Sequence, residues 1–173
     1  MQNSDSAKSF VTLRPMSVLE LEKIAGIADR DDGLPAPKTG LPPPHVARRA
    51  LKRIEAEQSS GWCLPFLIVG AQTLAIAGSC GFKGQPTRGE VEIGYGVTPS
   101  FQNQGIATAA VRELLKLAFA DRSVSQVLAT INPTNVASNR VVEKLGFERG
   151  DQFTDVDGEE LVRWSLCRDG SSI

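Results

Sequence analysis

A β-rich run, Glu90-Val91-Glu92-Ile93-Gly94-Tyr95-Gly96-Val97, leads through Pro99 into Gln102-Asn103-Gln104-Gly105-Ile106-Ala107-Thr108. There the helical spacing of Ile106, Ala110, Leu114 and Leu117 begins. A strand that passes through a small-residue turn into a helix start makes an anion site. The first N–H groups of the helix lack acceptors within it, and the aligned peptide dipoles add partial positive charge. Gly105 and Ala107 let a phosphate oxygen approach the backbone where a bulkier side chain would block it. The chemistry implied is capture of a phosphorylated ligand. No Lys-Ser or Lys-Thr follows the glycine, which excludes the P-loop, and no Gly-x-Gly-x-x-Gly is present, which excludes the dinucleotide fingerprint.

The turn resembles the acyl-CoA pyrophosphate loop of the GNAT superfamily of N-acetyltransferases, Gln/Arg-x-x-Gly-x-Gly/Ala. Gln102, Gly105 and Ala107 carry that pattern, and Val97 and Pro99 supply the Val-x-Pro before it. A second block, Asn135 through Phe147, is similar to the family's Asn-x-x-Ser/Ala helix ending in Lys-x-Gly-Phe. Ser138, taken with Glu92-Ile93-Gly94-Tyr95, most resembles the RimJ/RimL branch of ribosomal-protein N-terminal acetyltransferases. The likeness spans residues 8–167 and is densest over 90–147.

That resemblance implies an α/β fold, the GNAT acyl-CoA N-acyltransferase fold, with a mixed central sheet, splayed parallel strands and flanking helices. It implies acetyl-CoA as co-substrate and direct acetyl transfer to a primary amine in a ternary complex. Tyr95, Gly96 and Val97 would bind the pantetheine arm as an added strand. Gln102, Asn103, Gln104, Gly105, Ile106, Ala107 and Thr108 would hold the diphosphate, and Asn135 and Ser138 would contact the arm from the next helix. The acceptor is either a protein N-terminus or a small-molecule amine.

Acyl transfer from a thioester needs a neutral amine, a stabilised oxyanion and a leaving thiolate that can be accommodated. Alternation puts Glu90, Glu92, Gly94 and Gly96 on one strand face and Val91, Ile93, Tyr95 and Val97 on the other. Glu92 is the candidate base; the competing reading is that it orients an ammonium or pairs with a neighbouring Arg. Relatives place a Tyr at the position of Val142 and others a base near Thr130, and neither residue here can serve. Ser138 is the remaining candidate donor to the sulfur, with helix capping as the alternative for both Ser138 and Asn135. A non-catalytic acyl-CoA sensor is the rival function, and a general nucleotide-phosphate binder a third. No metal site is expected.

The rest of the chain must position these groups. At 173 residues, 41% hydrophobic and 23% charged, the sequence suits one domain, expected over 8–168 with flexible termini at 1–7 and 169–173. A net charge of −1 gives no signal for nucleic acid or anionic membrane. Cys63, Cys80 and Cys167 form no Cys-x-x-Cys, residues 1–8 lack the apolar core of a signal peptide, and no apolar run approaches bilayer length. These point to a cytoplasmic protein, expected as a monomer or homodimer.

The element order expected is β-α-α-β-β-β-α-β-α-β-β. It comprises a strand at 9–14, a helix capped by Ser17 through Arg30, and a helix from His45 to Gln58. Strands follow at 62–70, 73–83 and 90–97, then a helix at 104–121, a strand at 126–132, a helix at 137–145 and a hairpin at 147–154 and 159–167. The proline-rich stretch Asp31–Pro44 reads as a loop in which Asp31 and Asp32 could face an ammonium. Arg48, Arg49, Lys52 and Arg53 read as a solvated helix surface, His45 as an exposed polar residue, Cys80 as core, and Trp62 and Trp164 as core or interface anchors.

Overall fold

The computed structural model describes residues 11–27, 40–56, 60–71 and 73–168. The expected order is present with one addition: β1 (Val11–Pro15), α1 (Val18–Ala25), α2 (Pro44–Glu55), a short α3 (Ser60–Cys63), β2 (Phe66–Gly70), β3 (Ile76–Phe82), β4 (Glu90–Val97), α4 (Ile106–Ala120), β5 (Gln126–Ile131), α5 (Val136–Lys144), β6 (Glu148–Thr154) and β7 (Glu160–Cys167). The strands form a single seven-stranded sheet in the order β1-β2-β3-β4-β5-β7-β6. Among the described strands, only β4 and β5 run parallel.

Local chemistry sets the boundaries. Ser17 and Glu20 form a reciprocal capping box at the start of α1, and Arg14 hydrogen-bonds Glu20 at 2.7 Å and holds its carboxyl below the usual range. The helix stops at Gly26, which takes φ 77° and lets its own N–H and that of Ile27 bond back to Lys23 and Glu22. The helix expected through Arg30 therefore ends five residues early, and residues 28–39, including Asp31 and Asp32, lie outside the described part. Strand β2 begins at Phe66 rather than 62 because residues 60–63 coil into α3, whose Trp62 sets its ring edge against Phe82, 4.7 Å between centroids. Strand β3 begins at Ile76, since the turn before it is closed by Leu74 N–H to Gly70 O and Gly70 N–H to Ala75 O.

Two cores sandwich the sheet. Alternation along β2 sends Phe66 and Ile68 to one side and Leu67 to the other. On the first side α4 packs Ala110, Val111, Leu114 and Ala118 over Val91, Ile93, Val127 and Ala129. On the second, α1 and α2 pack Leu21, Ala25, Ala47, Ala50 and Leu51 around Leu67 and Met16. Burying side chains of this size is worth roughly 1.5–3 kcal/mol each before conformational entropy is set against it.

The β3–β4 junction is tight. A Cβ on Gly78 would stand 2.1 Å from the Gly96 carbonyl oxygen and 2.9 Å from the Val97 Cα, all backbone. On Gly96 it would meet nothing within 4 Å. Gly78→Ala should thus force β3 and β4 apart and lower stability by about 3 kcal/mol, whereas Gly96→Ala should cost under about 1 kcal/mol. Urea unfolding of both proteins checks this; equal midpoints would refute the close-approach argument.

Candidate active site

Strands β4 and β5 are in register only from Glu90↔Gln126 to Ile93↔Ala129. Beyond that point β4 stays paired with β3 as far as Val97↔Gly78, and β5 stays paired with β7 as far as Ile131↔Val162. Each strand keeps its outer partner while the two part company. One edge of Gly94-Tyr95-Gly96-Val97 is thereby left unpaired by β5, the disposition a β-like ligand arm could use.

The parting strands lead to the start of α4. A 3₁₀ turn, Pro99–Phe101, is followed by Gln102, Asn103 with φ 59°, and Gly105 with φ 77°. The amide of Gln102 donates to Val97 O at 3.1 Å and that of Gln104 to Ser100 O at 3.1 Å, so both side chains brace the turn. The helix expected from Gln104 starts instead at Ile106, because the left-handed Gly105 is its N-cap. No side chain caps it, and its first turn has no acidic residue. The first backbone N–H to find a carbonyl inside the helix is that of Ala109, on Gly105 O at 3.0 Å. The donors of Ile106, Ala107 and Thr108 are the orphans of this terminus.

Tyr95 lies on the α4 face of β4 and its hydroxyl donates to Ser138 O at 3.0 Å, tying β4 to the start of α5 across the gap. Burial pushes its phenol up to about 12. Asn135 is the N-cap of α5, its Oδ1 accepting Ser138 N–H at 3.1 Å. Val142 is fully buried. Sequence reasoning missed Asn139, which lies inside the Asn-x-x-Ser block. Its amide nitrogen donates to the carbonyls of Asn135 and Asn132, at 2.8 and 3.1 Å, and its oxygen accepts from Trp164 Nε1 at 3.0 Å.

The opposite face of β3 and β4 floors a cavity of about 770 Å³. Its floor is made of cross-strand pairs of small residues, Gly81↔Gly94 and Ser79↔Gly96. Its walls are α2, through Val46, Arg49, Ala50 and Arg53, and the segments Gly40–Pro43 and Thr98–Pro99. Arg48 and Lys52 face solvent as expected, but Arg49 and Arg53 border the cavity, and His45 is exposed at its rim. Cys80 lies between these floor residues with its side chain in the core on the α4 side, and desolvation lifts its thiol to about 12, which leaves it protonated and inert.

Glu92 lies on this same face, one step along the strand beyond Gly94, in an adjoining recess that shares Lys83 with the main cavity. Its Oε1 receives Lys83 Nζ at 2.6 Å and Thr130 Oγ1 at 2.5 Å. The pairing partner is a lysine just past the end of β3, where the sequence suggested an arginine. Thr130 thus meets the carboxylate across the parallel pair of β4 and β5.

The Acetyltransferase (GNAT) domain model matches residues 11–148. The chain belongs to the GNAT acetyltransferase family. Among curated relatives, the uncharacterised N-acetyltransferase YnaD of Bacillus subtilis is 36% identical over 62 residues, 36% of each protein. The N-acetyltransferase p20 of Bacillus licheniformis, also uncharacterised, is 26% identical over 64% of this chain and 63% of its own length. A kanamycin resistance protein of Rhizobium radiobacter is 38% identical over 32% of this chain and 51% of its own. These alignments span about a third to under two thirds of those relatives' length. In fold, the chain is similar to Mycobacterium smegmatis RimJ in complex with CoA-disulfide, with a TM-score of 0.64, 23% identity and coverage of 91% of this chain and 81% of that one. The aminoglycoside acetyltransferase AAC(6')-Ib in complex with coenzyme A gives 0.65 at 24% identity, over 91% and 95% of the two chains.

Asn139→Ala would strip the partner from the Trp164 indole N–H, buried to 3% exposure, and remove the side-chain donor from the Asn132 and Asn135 carbonyls, which keep their backbone N–H partners. A loss of about 2 kcal/mol is expected from unsatisfied groups of this kind. Chemical unfolding of the variant measures it, and Asn139→Asp should recover only the indole bond. An unchanged midpoint would remove Asn139 from the scaffold of the site.

Proposed function

We propose that the chain is an acetyl-CoA-dependent N-acetyltransferase that acetylates a primary amine by direct attack in a ternary complex. The observation that carries this is the uncapped head of α4 beside the parted strands β4 and β5. The residues present fit a diphosphate-bearing thioester carrier. Three orphan N–H groups converge where no carboxylate competes, and a Cβ at Gly96 or Gly105 would meet nothing. Bound there, acetyl-CoA supplies the activated acetyl group.

The chain's own groups divide the remaining work. Ile106, Ala107 and Thr108 hold the diphosphate through their N–H groups, with Gln102, Asn103, Gln104 and Gly105 shaping the turn. Tyr95, Gly96 and Val97 present the free strand edge to the arm, and a backbone N–H at this edge polarises the thioester carbonyl. The cavity on the α2 face admits the amine. Glu92 takes the proton that the attacking nitrogen loses. Both of its contacts fall on Oε1, which leaves Oε2 to face an amine or an intervening water. Lys83 and Thr130 fix the carboxylate's rotamer. At the sulfur, Ser138 is held at the α5 head by Asn135 and is the donor offered to the thiolate. A thiol's ordinary pKa near 8.5 makes strong acid assistance unnecessary.

Direct attack is favoured over a covalent enzyme intermediate, since Cys63, beside the cavity, and Cys80, in the core on the α4 side, are both buried and raised in pKa by desolvation.

Glu92→Gln should reduce kcat by roughly 100-fold, the usual worth of general base catalysis, with the Kd for acetyl-CoA unchanged by calorimetry. Retention of wild-type kcat would leave Glu92 as a positioning group only. Gly105→Val should do the reverse, weakening acetyl-CoA roughly tenfold or more, because a β-branched residue resists φ 77° and crowds the diphosphate. Calorimetry with acetyl-CoA against ADP then separates a thioester-carrier site from a general nucleotide site. ADP binding as tightly as acetyl-CoA would sink the proposal. CoA binding with no turnover on any amine would favour the sensor.

A further inference from the structure

We infer that the acceptor is a small amine that also carries a carboxylate or phosphate, held by Arg49 and Arg53 on the wall of the α2-face cavity. This rests on the acetyltransferase reading above and names the substrate class of the same site. The two arginines stand four residues apart and so share one face of α2, the face turned to the cavity. Neither makes a hydrogen bond or ion pair with any described residue. The Arg53 guanidinium lies over Gly84, where a Cβ would sit 3.3 Å from Nη2, so the absence of a side chain at 84 gives it room. Lys83, the third cation on this cavity, is already matched by Glu92.

Among the described residues that line the cavity, none is Asp or Glu. Two unmatched guanidiniums therefore face a chamber whose floor is glycine, serine and backbone. A polycationic amine would bring further positive charge against them, and Glu92, the carboxylate of the adjoining recess, is already paired with Lys83. An anionic group meets the opposite situation. A guanidinium fork suits a carboxylate or phosphate bidentately, and the partly enclosed setting strengthens the bond. The cavity, about 770 Å³, is of the size that takes a small molecule, and its small-residue floor leaves the amine end free to run toward Gly94 and Glu92.

The test measures CoA release from acetyl-CoA with matched amines. Amino acids are compared with their amides, phosphoethanolamine with ethanolamine, and spermidine, an aminoglycoside and acidic-tailed peptides complete the panel. The anionic member of at least one matched pair should be preferred tenfold or more in kcat/KM. Arg49→Ala and Arg53→Ala should each reduce that preference about tenfold, chiefly through KM, with Lys substitutions restoring part of it. Arg48→Ala, an equal charge loss on the solvent face of α2, should leave the preference intact. The amino acid and phosphoethanolamine arms tell carboxylate from phosphate. Acetyl-CoA calorimetry and thermal unfolding of each variant show that its fold and carrier site persist. A preference unmoved by both arginine substitutions, or better turnover of spermidine, aminoglycoside or peptide, would overturn the inference while the acetyltransferase reading stood. Acetyl-CoA binding without turnover of any amine would overturn that reading, and this one with it.

Discussion

The two parallel strands at the middle of this sheet keep their outer partners beyond the point where they stop bonding to each other. Strand β4 is committed to β3 along its whole second half, and β5 to β7. Their shared ladder ends at Ile93↔Ala129. The carrier side of the candidate site follows from that early stop. It frees one edge of Gly94–Val97, it brings the start of α4 beside that edge, and it opens the space that Tyr95 and the head of α5 span. Were the ladder to continue to Val97, the backbone donors and acceptors would be consumed by β5 and no arm could add to the sheet.

The pleat of the same strand also divides the candidate site in two. Odd positions of β4 face α4, and even positions face α2. Tyr95 therefore works on the side where the α4 head lies, while Gly94 and Gly96 floor the chamber on the other side and Glu92 ends the row. A reaction joining a carrier to an amine needs access from both faces to one short stretch of backbone, and glycines supply it by having nothing to project. Gly78 shows how little slack this leaves. It lets β3 approach Gly96 so closely that no other residue fits.

What the sequence revealed and what it hid divide by distance along the chain. The anion turn and the α5 block were legible because a helix terminus is built from about six consecutive residues whose types must suit it. The β4 alternation was legible for the same reason. The parting of β4 and β5 came from resemblance, since no spacing encodes it. The Lys83–Glu92–Thr130 cluster joins β4 and β5 to the segment that follows β3, and the sequence offered only a carboxylate and an unsuitable threonine. Arg49 and Arg53 read as surface because a basic helix face looks the same whether water or a cavity lies beyond it. Element ends moved where a single backbone conformation decided them, at Gly26 and Gly105, both with positive φ.

Trp164 links the last of these contacts to the stability of the whole. Its ring fills the core beneath β5, and its one polar atom reaches Asn139 on α5. Asn139 in turn binds the Asn132 and Asn135 carbonyls, so the turn after β5 and the first turn of α5 are held as one piece. Ser138 sits inside that piece, and its carbonyl is the acceptor for the Tyr95 hydroxyl. The gap between the parted strands is thus spanned by a chain of polar contacts that begins in the core at Trp164 and ends on β4. A core position such as Val142 can contribute only packing to it. The contacts that span the gap thus rest on a tryptophan and an asparagine that do not line the strands' free edge themselves.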